Sequence, residues 1–446
     1  MNEGLISLQD LFLVPVYFLF FLIIAVLIKR KHKHNLLYKK YFVKGFIFTG
    51  LCAVLYGMLM HFYYGFGDTI TYFKDGIAFK DILNDGRENI DFFFKNYQYG
   101  VNSYNLIGGG AEGGWLVIKI SALLSYFAFS RFLVVSLIFS FFAYLGTWKL
   151  FLTFCDFLPE QASKFSFCVL FFPSAHLFAS GILKDTICFA CLSWLIYVSY
   201  QLFILKQKKL RYPFIIIFCI IVISVVKVYI IACFIPSFVI YLILVLIKGI
   251  NNKFLRVVTF PLILLIVSGL YYLNAKKIDE ALGSYAVESI FDRVKEEQDM
   301  FLDAKGADEG AVFSLGTYDP TFIGLVEKLP AGLVATLFRP FIWEVKKPIM
   351  LLHALENAVI LFFTLYVFLK AGLLGFFRKV STSPFLFMCF SFAIIFGALV
   401  GLSTLNFGTL IRYRIPCMPI YVASLVIILY SKKKVTAVES LSGNHP

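Results

Sequence analysis

Apolar runs long enough to cross a bilayer recur along the chain, and short polar clusters separate them. The pattern predicts spans near 11–28, 45–64, 132–153, 165–179, 186–205, 213–230, 231–247, 257–273, 350–369, 385–402 and 416–431, about eleven in all. A hydrocarbon core of about 30 Å takes roughly 20 helical residues. Inside it the backbone can satisfy its own polar groups only as a helix or a closed barrel. These runs are continuous rather than alternating, so the expected fold is all-α and polytopic. Two polar stretches, 65–114 and 274–346, read as large loops. The weaker apolar stretches 115–129 and 331–343 read as helices lying in or dipping into the interface beside them.

Composition agrees: 60% of the 446 residues are hydrophobic and 15% are charged, against about 25% charged in ordinary globular chains. The net charge of +14 sits mostly in short loops, which points away from nucleic acid as a partner. Basic clusters at 29–44, 206–211, 248–256, 370–379 and 432–434 all fall on one side of the predicted topology. The positive-inside rule makes that side cytoplasmic, with the N-terminus outside, the C-terminus inside and both large loops extracytoplasmic. The first run lacks a small-residue cleavage site and is read as a retained span. The expected organisation is a single transmembrane domain, 1–434, with a polar cytoplasmic tail, 435–446. None of the nine cysteines lies in the two loops, which argues against a disulfide-stapled outer domain.

Candidate chemistry lies where ions interrupt apolar sequence. Residues 165–205 are 41 mostly apolar positions, twice one crossing. They are expected to form a helical hairpin turning at Ser180-Gly181 within FFPSAHLFASGILKDTICF. Lys184 and Asp185 then stand at the outer end of the returning helix. Asp185 with Thr186 caps that helix while Lys184 reaches the headgroups, or the pair forms a polar floor under a lipid phosphate. In HFYYGFGDTITYF, 61–73, Asp68 is either a cap or a carboxylate near the membrane surface suited to general-base work. Asp75, Asp81, Asp85, Glu88 and Asp91 read as a solvated face.

Near the other end, NFGTLIRYRIPCMP places Arg412 and Arg414 before Pro416. In extended backbone, residues two apart point the same way, giving a two-pronged anion clamp, with headgroup anchoring as the alternative. Arg339 and Glu344 flank aromatics in LFRPFIWE, with mutual pairing as the plainer reading. Lys227 stands inside IIVISVVKVYIIA, where a central lysine costs about 2.5–3.5 kcal/mol unless it faces a cavity or partner. His61, His176 and His353 lack ligand-like spacing, so no metal site is assigned, and His176 reads as a packed helix-end residue.

Four of these stretches together resemble the GT-C superfamily of integral-membrane glycosyltransferases and the related O-antigen and exopolysaccharide polymerases. They are GDTITYF, GGWLVIKISALLSYFAFSRFLVV, FPSAHLFASGILKD and RYRIPCMP, covering roughly the first half of the chain and its last tenth. The resemblance implies a polyprenyl-phosphate- or polyprenyl-diphosphate-linked sugar donor, a glycan or lipid acceptor and transfer on the extracytoplasmic face. It further implies a role in cell-surface polysaccharide assembly in a bacterial inner membrane, with Asp68 as the base and Asp185 as the second acid. The sequence departs from the family pattern in one respect: Asp68 follows the second span rather than the first, which leaves the polymerase branch open.

The chemistry itself needs a carboxylate for the acceptor hydroxyl's proton and cations for the departing phosphate. Asp68 supplies the first, with Asp185 supporting the acceptor or an ion, and Lys184, Arg339, Arg412 and Arg414 supply the second. A divalent cation is left open as a further participant. A transporter of lipid-linked oligosaccharide, and a scaffold whose ions are all caps and anchors, are the competing readings.

Overall fold

A computed structural model describes residues 5–106, 112–248, 290–303, 311–316 and 319–431. The described residues are helical apart from turns, connecting segments and a single bridge, Val312 to Asn406. Among the described residues, seven helices are long and apolar enough to cross a membrane, or eight if one bent pair is a single span. Many carry large apolar side chains on their outside. On the first helix, α1 (Leu8–Lys31), Leu11, Phe12, Val16, Leu19, Phe20, Ile23 and Leu27 are all exposed. Such a face is stable only in an apolar solvent. The chain is a multi-pass helical membrane protein.

Six predicted spans correspond to single long helical runs. These are α1, α2 (Tyr38–Tyr64), α6 (Phe132–Phe157), α8 (Lys184–Ile204), α12 (Pro348–Ala371) and α14 (Pro384–Ser403). The span expected at 257–273 lies outside the described residues, as do the 432–434 cluster and the 435–446 tail. Stretch 165–179 is not one helix. A π turn, Ser166–Leu170, ends before Phe172, whose extended backbone is what Pro173 imposes, and a short helix α7 (Pro173–Phe178) follows. Spans 213–230 and 231–247 are one 38-residue run, α9 (Arg211–Lys248), broken at Lys227, where φ is −150° and ψ is 80°. At 1.5 Å per residue that run is about 57 Å long, roughly two crossings. Stretch 416–431 is the second arm of a bent pair, α15 (Phe407–Tyr413) and α16 (Met418–Tyr430), which meet at 63° beside Pro416.

The described residues fall into two compact units: Met1–Val198 with Arg211–Lys227, and Ser199–Leu210 with Val228–Pro446. In the first, α6 is buried on almost every side and is the central helix. Gly146 of α6 is so close to Ala190 of α8 that a Cβ there would stand 2.7 Å from the Ala190 Cα. The segment read as a loop at 65–114 is largely helical. A left-handed turn at Gly65 (φ +71°) and Gly67 (φ +130°) releases the chain from the π turn ending α2 into α3 (Asp68–Asn84). A short helix α4 (Tyr97–Tyr104) follows, then α5 (Glu112–Phe127), against which α3 packs. Phe79 of α3 stacks on Phe92 with ring centres 4.3 Å apart, and the Trp115 indole donates to the Lys95 carbonyl at 2.8 Å.

The second unit also contains α10 (Ile290–Asp303), α11 (Phe322–Phe338) and α13 (Leu373–Thr382). Its tightest contact pairs α11 with α14. A Cβ on Gly401 would lie 1.9 Å from the Gly332 carbonyl oxygen, and Thr336 Oγ1 donates to the Gly397 carbonyl at 2.6 Å. Small residues let the two backbones touch, which is how helices associate where lipid removes the hydrophobic drive.

Candidate functional site

In the first unit, two of the sequence-predicted stretches come together. The turn after α7 is closed by Thr186, whose hydroxyl donates to the Gly181 carbonyl at 2.7 Å, and by the Leu183 amide on the same oxygen at 2.9 Å. Gly181 lies against the first turn of α3. A Cβ added there would stand 2.5 Å from the Tyr56 ring and 3.7 Å from the Thr69 hydroxyl. From the end of this turn the Lys184 ammonium lies 5.9 Å from the centre of the Tyr72 ring. Asp68 begins α3, one residue before Thr69 and one helical turn before Tyr72. The early acid and the Ser180-to-Asp185 turn therefore sit on contacting elements.

Asp185 and Lys227 form an ion pair, with Nζ 2.5 Å from Oδ1. Asp185 is 1% exposed and Lys227 is 8% exposed. Asp185 occupies the first turn of α8, where the helix dipole favours an anion, and its carboxylate also takes the lysine's charge. The break in α9 falls at the same lysine. The partner that sequence reading required of Lys227 is thus an acid 42 positions away. No spacing rule could have named it. Cys188, one turn along α8, lies close enough to Lys184, Asp185 and Lys227 to feel all three charges.

Asp75, read as part of a solvated face, is 7% exposed. It stands at i+7 from Asp68 with Tyr72 between at i+4, a spacing that puts all three on one helix face. That signal was present in DTITYFKD.

The second unit treats its arginines differently. Arg412 lies inside α15, and Arg414 follows it with helical backbone, φ −77° and ψ −6°. Helical residues two apart diverge by about 200°, so the extended clamp does not form. Arg412 is half-buried and Arg414 fully buried. The Arg414 guanidinium donates to the Thr336 carbonyl at 3.0 Å, the Arg339 carbonyl at 3.4 Å and Asn357 Oδ1 at 2.7 Å, with Glu356 at 3.8 Å. Asn357 in turn donates to the Pro340 carbonyl at 3.3 Å.

Arg339 pairs with Glu344, its Nε lying 2.9 and 3.1 Å from the two carboxylate oxygens, and stacks over Phe313 at 4.2 Å. Glu344 also accepts from the Phe341 amide at 2.8 Å. Both arginines hold protein groups. His176 is buried between Thr49 Oγ1 at 2.9 Å and the Val169 carbonyl at 2.8 Å. Nε2 must be the donor to that carbonyl; in the neutral ring Nδ1 is then an acceptor that shares the one Thr49 hydroxyl proton with the Gly45 carbonyl at 3.0 Å.

Among the described residues, no group of three or more His, Cys, Asp or Glu side chains is placed to hold a metal ion. Comparison with protein-family models, with curated proteins and with solved structures returned no match.

Proposed function

We propose that this chain is an integral-membrane glycosyltransferase. It takes a sugar or oligosaccharide from a polyprenyl-phosphate or polyprenyl-diphosphate donor and passes it to a glycan or lipid acceptor on the extracytoplasmic face of a bacterial inner membrane. The observation that carries this reading is the contact between the start of α3 and the 180–185 turn. It gathers a half-buried carboxylate, Asp68, and the Lys184, Asp185 and Lys227 charges within one unit.

In the proposed reaction the acceptor hydroxyl gives its proton to Asp68, and its oxygen forms a bond to the anomeric carbon. The carbon–oxygen bond to phosphate breaks, and the electron pair leaves with the phosphate. Lys184 offsets that developing charge, as cations do in phosphoryl-bearing sites. Arg339 and Arg414, engaged with protein groups, are assigned to the scaffold. A polymerase joining whole repeat units would use the same chemistry with a longer acceptor.

In reconstituted vesicles, Asp68→Asn is expected to lower turnover of a lipid-linked sugar by about 100-fold or more, the usual worth of a general base. Full turnover at matched expression would remove Asp68 from the mechanism. The buried Asp185–Lys227 pair also suits a transporter, since ionisable groups inside membranes often line pathways. Uptake of intact donor without transfer would favour that second reading.

A further inference from the structure

The second unit carries a surface that the proposed reaction does not use. α12 ends at Ala371, and Gly372, with φ +67°, turns the chain at once into α13. α13 is ten residues long, about 15 Å, which is too short to cross a bilayer. One face of it is fixed to the unit. Phe376 is fully buried and stacks on Phe368 of α12 with ring centres 4.1 Å apart, and Val380 is buried one turn further on. The Lys379 ammonium donates to the Ile428 carbonyl, near the end of α16, at 2.6 Å.

The other face is bare. Leu373, Leu374 and Phe377 are 65%, 87% and 56% exposed, and they continue the exposed apolar surface of the last turns of α12, Tyr366 and Leu369. Lys370 and Arg378 stand at either end of this strip, both exposed. Among the described residues neither side chain forms a hydrogen bond or an ion pair. No Asp or Glu occurs in the sequence between Glu356 and Glu439. Burial first, and then the like charge of Arg378, hold the Lys379 ammonium below the ordinary lysine range. The strip is therefore apolar, edged by cations and short of any carboxylate of its own. That is the composition of a helix lying on an anionic bilayer surface. Its continuity with side chains of α12 that already face lipid favours lipid over a protein partner as the cover.

We propose that α13 is an interfacial helix that selects anionic phospholipids. Leu373, Leu374 and Phe377 enter the acyl boundary, while Lys370 and Arg378 hold the phosphate of a lipid whose net charge is negative. The Arg378 fork grips two phosphate oxygens at once, and Lys370 acts as a point charge. The site is separate from the reaction proposed for the first unit and stands whether or not that reaction occurs.

The experiment places the full chain in nanodiscs of equimolar phosphatidylglycerol and phosphatidylcholine. A trace of one lipid or the other carries a photoactivatable diazirine near its headgroup, and peptide mass spectrometry reads the labelling of residues 371–378. Each cation near an anionic surface changes affinity about fivefold. The phosphatidylglycerol probe should therefore label this stretch about 25-fold more than the phosphatidylcholine probe at low salt, the product of two such factors. The preference should shrink as salt is added, because exposed charges are screened. Lys370→Gln and Arg378→Gln should each lower it about fivefold, and the double variant should label equally with both probes. Arg378→Lys should keep most of the preference. Phe377→Ser should reduce labelling by both probes alike, since it removes insertion and leaves the charge.

Equal labelling by the two probes in the native protein would overturn the selectivity, and that ratio and its salt dependence require no variant to fold. A preference that survives in the double variant would overturn the roles of Lys370 and Arg378. Absence of labelling by either probe, with cross-links between copies of the chain through this stretch, would replace lipid by a second copy as the cover.

Discussion

The two units each bury a cation near a helix end and stabilise it in different ways. In the first, Lys227 meets a side-chain carboxylate, Asp185, so the charges cancel in a pair. In the second, Arg414 gives its N–H groups mainly to neutral acceptors: two backbone carbonyls and the Asn357 amide oxygen. A side-chain pair can be deleted from both sides. Replacing a buried pair by apolar groups is often nearly neutral, whereas removing one partner typically costs about 3–5 kcal/mol. Backbone carbonyls cannot be mutated away, so the arginine hub has no compensating double variant. The first arrangement is tunable and suits a site; the second is a fixed joint.

The largest expected effect tests that contrast at the joint. Arg414→Met should lower unfolding stability in detergent by about 3 kcal/mol or more, since several buried acceptors lose a charged donor at roughly 1–3 kcal/mol each. Adding Asn357→Leu should recover only a minor part. Recovery to native stability would mean that the two carbonyl bonds contribute little, and the contrast with the Asp185–Lys227 pair would collapse.

A smaller effect concerns how the second unit holds its helices. Gly401→Ala drives a methyl group against the Gly332 backbone and should cost about 1–3 kcal/mol through overpacking. Thr336→Val, which removes the bond to the Gly397 carbonyl, should cost about 1 kcal/mol. Thermal unfolding of the two variants ranks them. A milder result for Gly401→Ala would show that α11 and α14 can separate without loss.

The smallest effect lies beside α4 in the first unit. Glu88 accepts from the Tyr99 hydroxyl at 2.6 Å and from the Tyr104 hydroxyl at 2.9 Å. These bonds, Tyr99's first, hold its carboxyl below the ordinary glutamate range. A depressed carboxylate stabilises the folded form at pH values above its unfolded pKa, and the contribution is lost as pH falls through the lower folded value. Hydrogen-exchange protection of α4 should therefore be flat from neutral pH down to the ordinary glutamate range and decline below it. Glu88→Gln should abolish that pH dependence. A decline that persists in Glu88→Gln would assign it to another group.

Much of the fold was legible because lipid imposes a simple rule on length and apolarity. Six helices stand where uninterrupted runs predicted them, α6 and α14 among them. Legibility failed at prolines and at ions. Pro173 broke an expected span by forcing Phe172 into extended backbone, and Pro416 bent another. The run 213–247 does divide at Lys227, three residues before the predicted boundary between 230 and 231, but the lysine's partner was not readable there. At the candidate site, the positions of Asp68 and of Lys184-Asp185 at helix starts followed from glycine turns beside apolar runs. Asp75 was missed although its helical spacing from Asp68 was on view.

What the chain determined by itself was local: a helical membrane protein, the place of its turns, and which ions are too costly to leave without a partner. Hydropathy, proline and glycine act within a few residues, so they can be read in order along the sequence. The tertiary structure alone decided which partner each ion takes. It gave Lys227 to Asp185, turned Arg414 inward to carbonyls some 75 positions away, and laid Gly181 against the start of α3. Those choices depend on how helices distant in sequence pack, and a charge in an apolar interior settles wherever packing brings an opposite charge or a free carbonyl within hydrogen-bonding reach.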